Sequence, residues 1–408
     1  MSRRGWVVTA AVATTALVAG GGTVSAVRIA AQPPAAEVRV SVPASYVPVP
    51  GPPPPVRQPP QGSLALQGLG RDIALLHADE PRPIASVAKA MTAFAVLQAH
   101  PLQDDTDPGA LLTMTDVDVQ DWRDTVARDG SSLPVVAGER LTERQLLLGL
   151  LLPSANNFAD TLARWTAGSI DAFVASLNRL AVHLGMLHTH FADPSGFSPA
   201  TVSTASDLVR LGEAALGVPA LMTLVGTQHA ELSDRTQLDN LDALLATEPG
   251  WLGIKTGETP QAGGCLLFAA RRMVGDAAPV TLVGAVLGQT DLQAALDAAK
   301  TAVDTGFAGY GVVAPGDAPP AGGEVSTRWG AQSGLHVSVA AGTGSAIAVR
   351  MGTVVPLSTR VLTVAAGAPA ASRVAVVSAG VGERRLQWDL VLDRGLPGPS
   401  PWWMLLQN

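Results

Sequence analysis

Pro83-Ile84-Ala85-Ser86-Val87-Ala88-Lys89-Ala90-Met91-Thr92-Ala93-Phe94-Ala95-Val96-Leu97 is the stretch on which the reading of this chain turns. From Ala90 onward nearly every position is apolar, the pattern of a helix buried on all sides. Pro81 and Pro83 just upstream place the helix start at about Ser86. Ser86 and Lys89 are three residues apart, so they share one face of that helix and enter the core together. A serine at a helix start stands among free backbone N–H groups at the positive end of the dipole, which suits a nucleophile whose product is an oxyanion. Two readings of the pair stand side by side: a nucleophile with its base, or an N-cap serine followed by a lysine that snorkels to the surface.

The lysine is the more informative member. Among 27 basic residues only Lys89, Lys255 and Lys300 are lysines, so where positive charge alone is needed this sequence uses arginine. Burial can lower a lysine's pKa until it is a neutral base, whereas a guanidinium stays charged. Lys89 and Lys255 therefore each call for a chemical explanation.

The whole chain bounds the answer. A length of 408 residues with 47% hydrophobic and 15% charged residues describes a folded protein of two or three domains. A net charge of −7 and the lack of any basic stripe argue against a nucleic-acid partner. One cysteine, Cys265, excludes an internal disulfide and a cysteine-based zinc site. His183, His188 and His190 lie close in sequence without a further ligand at metal-binding spacing, so no metal and no other cofactor is expected. Arg3 and Arg4, the apolar run Trp6 to Val18 and the small residues Val24-Ser25-Ala26 make residues 1–27 an export segment. Cleaved, it is a signal peptide; uncleaved, residues 5–27 can span a bilayer and associate the protein with a membrane. Either way the rest of the chain lies in the cell envelope or beyond. Residues 28–62 are rich in proline and read as a semi-rigid linker.

Outward from the Ser86 helix, Ser63 to Gln67 and Ile73 to His77 read as a strand pair, and Gln103 to Gly130 as a polar loop. Thr142-Glu143-Arg144-Gln145 is a capping box opening an apolar helix that Pro153 stops. The polar interruption that follows, Ser154-Ala155-Asn156, reads as a tight turn delivering two side chains into a cleft or as a plain helix connection with a serine cap. Helices over 169–184 and 204–216 come next, then three strands in succession over 251–257, 265–270 and 280–287, an antiparallel meander, and a last helix to about Phe307. Lys255-Thr256-Gly257 stands on the first strand of that set. From about Val312 short alternating runs of Val, Ala, Thr and Gly read as a separate all-β module, with Trp402 and Trp403 closing a strand layer.

Ser86-x-x-Lys89, Ser154-x-Asn156 and Lys255-Thr256-Gly257 thus occur in order on a helix start, a turn and a strand. Together such motifs form the signature of penicillin-binding proteins and class A β-lactamases, here with Ala155 in place of the central aspartate. Residues from about 63 to 308 resemble the catalytic domain of the serine-type D-alanyl-D-alanine carboxypeptidases, the low-molecular-weight penicillin-binding proteins. The resemblance also covers Ala137-Gly138 through Asn156, Thr189-His190-Phe191 and Gly253 to Gly264. It implies an α/β (α+β) fold, β-lactamase/transpeptidase-like, with an antiparallel sheet and a helical subdomain over 63–308. A β-rich C-terminal domain over 309–408 follows. Asp193 and Ser195 stand where relatives often carry Asn and His, and Glu258 follows the Lys-Thr-Gly.

By motif, the resemblance implies Ser86 as nucleophile, Lys89 as its base, Ser154 as proton donor to the leaving D-alanine, and Asn156 orienting Lys89 and the substrate amide. Lys255, kept protonated, and Thr256 would hold the terminal carboxylate, next to Gly257. The backbone N–H groups of Ser86 and Glu258 would form the oxyanion hole. The implied substrate is a peptidoglycan stem peptide ending in D-Ala-D-Ala, with β-lactams as acylating inhibitors. A class A β-lactamase needs a further glutamate, in the pattern Glu-x-x-Leu-Asn, and here Val174 occupies that position in Val174-Ala175-Ser176-Leu177-Asn178. The other alternative, a non-catalytic peptidoglycan-binding module, has no need of a buried Ser-Lys pair.

Overall fold

The computed structural model describes residues 32–340, 345–381 and 384–406, and the export segment expected at 1–27 lies outside them. Residues 52–311 form one compact unit. The described residues up to Gly51 join those from Val312 onward in a second.

The first unit is built on a sheet of β1 (Ser63–Gly68), β2 (Arg71–Leu76), β3 (Trp251–Thr259), β4 (Gly263–Arg272) and β5 (Val280–Gln289). The order is β3-β4-β5-β1-β2, and every neighbouring pair is antiparallel. β1 and β2 meet at Leu69-Gly70, both at positive φ (52° and 69°), the backbone that matches the twist of a two-residue hairpin. Seven helices complete the site's surroundings: α1 (Ala88–Ala99), α2 (Asp116–Ala127), α3 (Glu143–Leu151), α4 (Asn156–Ala167), α5 (Ile170–His183), α6 (Ala205–Leu216) and α7 (Leu292–Phe307). α6 and α7 pack on the sheet, while α1 is surrounded by α3, α4 and α5. One hydrophobic core runs from Ile254, Leu267 and Val283 of the sheet into Met91, Leu146 and Phe158 of the helices.

α1 is as apolar as its sequence demands: Ala88 to Phe94, Val96 and Leu97 are all buried. A 3-10 turn, Ala85–Val87, leads into it without any side-chain cap, so Ser86 is free of the capping role open to it in the sequence. The expected caps form elsewhere. Thr142 and Gln145 exchange hydrogen bonds at the start of α3, and Ser169, Thr204 and Asp291 each accept from the third residue of their helices.

Three stretches of structure depart from expectation. Within the stretch read as a polar loop, residues 116–127 form α2, opened by a capping box between Thr115 and Asp118. Only Asp118 and Thr125 of this helix are buried, so its apolar period is faint. Asp118 anchors it by accepting from Thr161 Oγ1 at 2.7 Å and from Arg164 at 2.9 Å, both on α4. Within the segment read as a linker, Glu37–Ser41 and Ser45–Tyr46 are strands of the second unit.

That unit carries a seven-stranded antiparallel sheet in which Glu37–Ser41 pairs with Gly322–Ser326 and Ser45–Tyr46 with Val355–Val361. The alternation Glu-Val-Arg-Val-Ser, bounded by Pro34 and Pro43, has the period of a half-buried strand, and it packs Val38 and Val40 on the second core. Trp388, Leu390 and Leu386 lie at the centre of that core. Pro401–Leu406, expected to close a strand layer, is a short helix, and Trp403 meets Trp329 edge to face at 5.6 Å.

Candidate active site

The first unit brings the three motifs to one place. Lys89 is fully buried, and its Nζ donates to Ser86 Oγ at 2.8 Å and to the Ser195 carbonyl at 3.0 Å. Burial, and then the nearby charge of Lys255, hold its pKa well below the usual lysine value, against the upward pull of Asp193 and Asp160. Its charged form is thus disfavoured, and the amine is in hydrogen-bond contact with a half-buried serine hydroxyl.

The backbone around the serine is constrained. Ala85 takes a positive φ of 47°. Gly196 (φ +76°) lies against it so closely that a Cβ there would meet the Ala85 oxygen at 1.8 Å. The loop that carries Gly196 is hooked to α1 at two points one turn apart, by Lys89 on the Ser195 carbonyl and by Thr92 Oγ1 on the Pro194 carbonyl at 2.6 Å. Asp193 closes the loop on itself, accepting from Ser195 Oγ at 2.6 Å, Phe197 N at 2.9 Å and Thr201 Oγ1 at 2.5 Å. Asp193 and Ser195, the departures noted in the sequence, therefore form a self-contained latch under Lys89.

The turn between α3 and α4 supplies the second group. Ser154 has φ +69°, an uncommon conformation for a serine, and is 1% exposed. Asn157 bridges the backbone N–H and C=O of Leu133, and Asn156 N donates to Ser131 O at 2.7 Å, so the turn and residues 131–133 form one unit. Ser154 Oγ and Asn156 Oδ1 are buried and have no partner among the described residues. Asn156, expected to orient Lys89, makes no hydrogen bond with it. The Ser195 carbonyl accepts from the amine instead.

β3 supplies the third. Lys255 and Thr256 are both 2% exposed, with Lys255 Nζ 3.4 Å from Thr256 Oγ1. Burial pulls Lys255 down to about 7, and Asp242 resists the fall. Burial thus weakens the charged form in which this lysine is expected to act, and Asp242 supports it. Asp242, itself pushed up to about 6 by burial, accepts from Trp251 Nε1 at 2.8 Å and Leu244 N at 3.2 Å. Gly257 has no room for a side chain: a Cβ would stand 2.9 Å from both Ser86 N and Val87 N, so the strand is pressed against the start of α1. Glu258 is exposed.

A cavity of about 460 Å³ opens over these groups, lined by Ser86, Ser131, Ser154, Thr256, Gly257 and Glu258 among others. Asn156 lies behind it, facing a smaller cavity. Val174 is on α5, and Asn178 is occupied structurally, holding Phe191 by its backbone N–H and C=O at 2.9 and 2.8 Å. Thr92, the Ser195 carbonyl, Asp160, Asp242 and Ser131 were not singled out from the sequence. Only Thr92 left a trace there, one turn after Lys89 on the same helix face.

A buried amine whose charged form is disfavoured, on a serine hydroxyl and next to a strand pressed on the helix start, is the equipment of an acyl-transfer serine enzyme. The family model for D-alanyl-D-alanine carboxypeptidases of the peptidase S11 group matches residues 68–287. The D-alanyl-D-alanine carboxypeptidase of Streptomyces sp. strain K15 is 30% identical over 257 residues, covering 59% of this chain and 84% of that protein. The D-alanyl-D-alanine endopeptidase of Escherichia coli is 34% identical, covering 51% of this chain and 64% of its own length. The crystal structure of the Streptomyces K15 DD-transpeptidase aligns at a TM-score of 0.54 and 29% identity, over 62% of this chain and all of that one. This chain belongs to the D-alanyl-D-alanine carboxypeptidase family, enzymes of the penicillin-binding type that act on peptidoglycan peptides ending in D-Ala-D-Ala, outside the cytoplasm.

Proposed function

We propose that Ser86 is the nucleophile of this carboxypeptidase and Lys89 the base that activates it. The observation that carries the reading is the 2.8 Å contact between Lys89 Nζ and Ser86 Oγ, with burial holding the amine's pKa well below the usual lysine value. Lys89 takes the hydroxyl proton as Ser86 Oγ bonds to the carbonyl carbon between the two D-alanines. When the C–N bond breaks, the leaving D-alanine takes a proton through Ser154, whose buried Oγ has no partner among the described residues. Asn156 offers its amide, whose Oδ1 is likewise without a partner among the described residues, to the substrate's peptide group. Lys255 and Thr256 hold the terminal carboxylate, and an arriving anion raises Lys255 into its charged form. The main-chain N–H groups of Ser86 and Glu258 receive the oxyanion, each worth about 3 kcal/mol in comparable sites. Water then attacks the ester carbonyl and releases the shortened peptide, Lys89 serving again as base.

Residues 63–308 carry this reaction. The export segment 1–27 delivers the chain across the cytoplasmic membrane and either leaves it soluble or holds it there; N-terminal sequencing of the mature protein separates the two.

Incubation with a fluorescent penicillin tests the site. Wild type acquires a covalent label that Ser86→Ala loses, and D-alanine appears from a peptide ending in D-Ala-D-Ala. A folded wild type showing neither label nor release would sink the proposal.

A further inference from the structure

The second unit encloses one tryptophan and gathers three others at its surface. Trp388 is fully buried in the core, whereas Trp402 is 75% exposed and Leu406, one turn further along the helix Pro401–Leu406, is 77% exposed. Met404, between them, is buried, and the half-buried Trp403 meets Trp329. Trp329 Nε1 donates to the Pro397 carbonyl at 2.7 Å, so the helix and the turn that carries Trp329 present one surface.

The chain enters the second unit at this same end. Glu37 opposes Ser326, and Ser326 opposes Gln332 across the hairpin whose turn, residues 327–331, holds Trp329. Arg394 Nε donates to the Gln332 carbonyl at 2.9 Å. Arg328 and Arg394 are exposed and make no ion pair among the described residues, whereas Glu37 pairs with Arg39 and Asp393 with His336. Between the end of the export segment at residue 27 and Glu37 stand nine residues, 28–36, which reach at most about 30 Å.

We propose that the tryptophan face formed by Trp329, Trp402, Trp403 and Leu406 docks on the outer surface of the cytoplasmic membrane, the lipid surface from which the chain emerges. The inference rests on the reading of residues 1–27 above in one respect, the delivery of this end of the unit to that surface. An indole ring joins an apolar body to an N–H that keeps polar company, so it settles at the boundary between hydrocarbon and water. Arg328 and Arg394 can lay their stems along that boundary and hold their guanidinium groups among the phosphates. The helix has six residues, too few to cross a bilayer, so the contact is peripheral and serves whether or not the export segment is cleaved. Four side chains offer far less than the roughly 800 Å² per partner that a stable dimer buries, which leaves the lipid surface as the occupant.

The test uses the full chain with Leu406→Cys labelled by an environment-sensitive nitrobenzoxadiazole dye, and Val182→Cys, 65% exposed on α5, as the control site. Cys265 is fully buried, and wild type given the same reagent checks that it stays unlabelled. On vesicles of equal parts phosphatidylglycerol and phosphatidylcholine, the dye at 406 is expected to shift its emission to the blue and the dye at 182 to keep its aqueous value. Trp402→Ser should weaken the docking equilibrium read from the shifted fraction about ten-fold, as expected for one large apolar side chain left in water, and Trp402→Phe should weaken it less. Aqueous emission from the dye at 406 on vesicle-bound chain overturns the docking face and leaves the export segment as the attachment. Equal shifts at 182 and 406 overturn it too, as does a shift that grows with protein concentration without lipid, which names a second copy as the occupant. A chain that binds no vesicles defeats the face and an uncleaved anchor together. Labelling by fluorescent penicillin in the same samples reports the catalytic reading independently.

Discussion

The start of α1 and the middle of β3 each bury a lysine almost completely, and they leave it in different states. Lys89 donates to a hydroxyl and to a backbone carbonyl, and like charge from Lys255 adds to the effect of burial, so it rests far below its ordinary pKa. Among the described residues Lys255 has only a long contact to Thr256 and the opposing charge of Asp242, and burial pulls it down to about 7. Burial lowers both, and carboxylates oppose it at both, Asp193 and Asp160 at Lys89 and Asp242 at Lys255. The like charge of Lys255 acting on Lys89 adds to burial there and separates a residue that removes protons from one that binds anions.

The largest effect should come from exchanging the base. Lys89→Arg preserves positive charge but supplies a group that cannot be deprotonated, and loss of a general base lowers rates by about 10²–10⁴-fold. The rate of labelling by fluorescent penicillin should fall into that range. A variant that keeps more than a tenth of the wild-type rate would show that Lys89 acts by charge, and the contrast with Lys255 would collapse.

Truncating the other lysine should fall on substrate. Lys255→Met is expected to lower kcat/KM for a peptide ending in a free carboxylate by about 30-fold or more, the range for losing one partner of a buried charge pair. A peptide amidated at its C-terminus should lose far less. Equal losses for the two peptides would mean that Lys255 supports the chemistry itself.

A subtler change sharpens the comparison through pH. Because Asp242 raises Lys255, Asp242→Asn lets its pKa fall further below the wild-type value of about 7. The charged lysine is the carboxylate-binding form, so kcat/KM declines as pH rises, and in the variant this decline begins at lower pH. A pH profile of kcat/KM reports the free enzyme and checks the direction. A limb that stays in place or moves upward removes Asp242 from its assigned part.

The sequence made one layer of this site legible and hid the next. Ser86, Lys89, Ser154, Asn156, Lys255 and Gly257 belong to short motifs whose spacing is set by a single helix, turn or strand, so they can be read locally. Asp242 and the Ser195 carbonyl act on them from other elements, and nothing local records that approach. The Ser195 interaction uses a main-chain oxygen, which no residue type announces. α2 was missed because it is mostly exposed and held by the polar contacts of Asp118 more than by an apolar face. The strand at 37–41 was hidden by the prolines around it, although its two-residue alternation was present.

Thr92 tests how far that hidden layer matters. Its hydroxyl holds the Pro194 carbonyl at 2.6 Å, and Lys89 one turn earlier holds the next carbonyl, that of Ser195. Thr92→Val keeps the shape of the side chain and leaves a buried carbonyl unpaired, which costs about 1–3 kcal/mol of stability. The unfolding midpoint in urea should fall, with the slope unchanged. The latch keeps its internal bonds to Asp193, and Lys89 keeps both its partners, so acylation by penicillin should slow the least of all these variants. A loss of labelling comparable with that of Lys89→Arg, in protein that remains folded, would show that the latch sets the position of the base; the pKa difference between the two lysines would then depend on the loop as well as on Asp242.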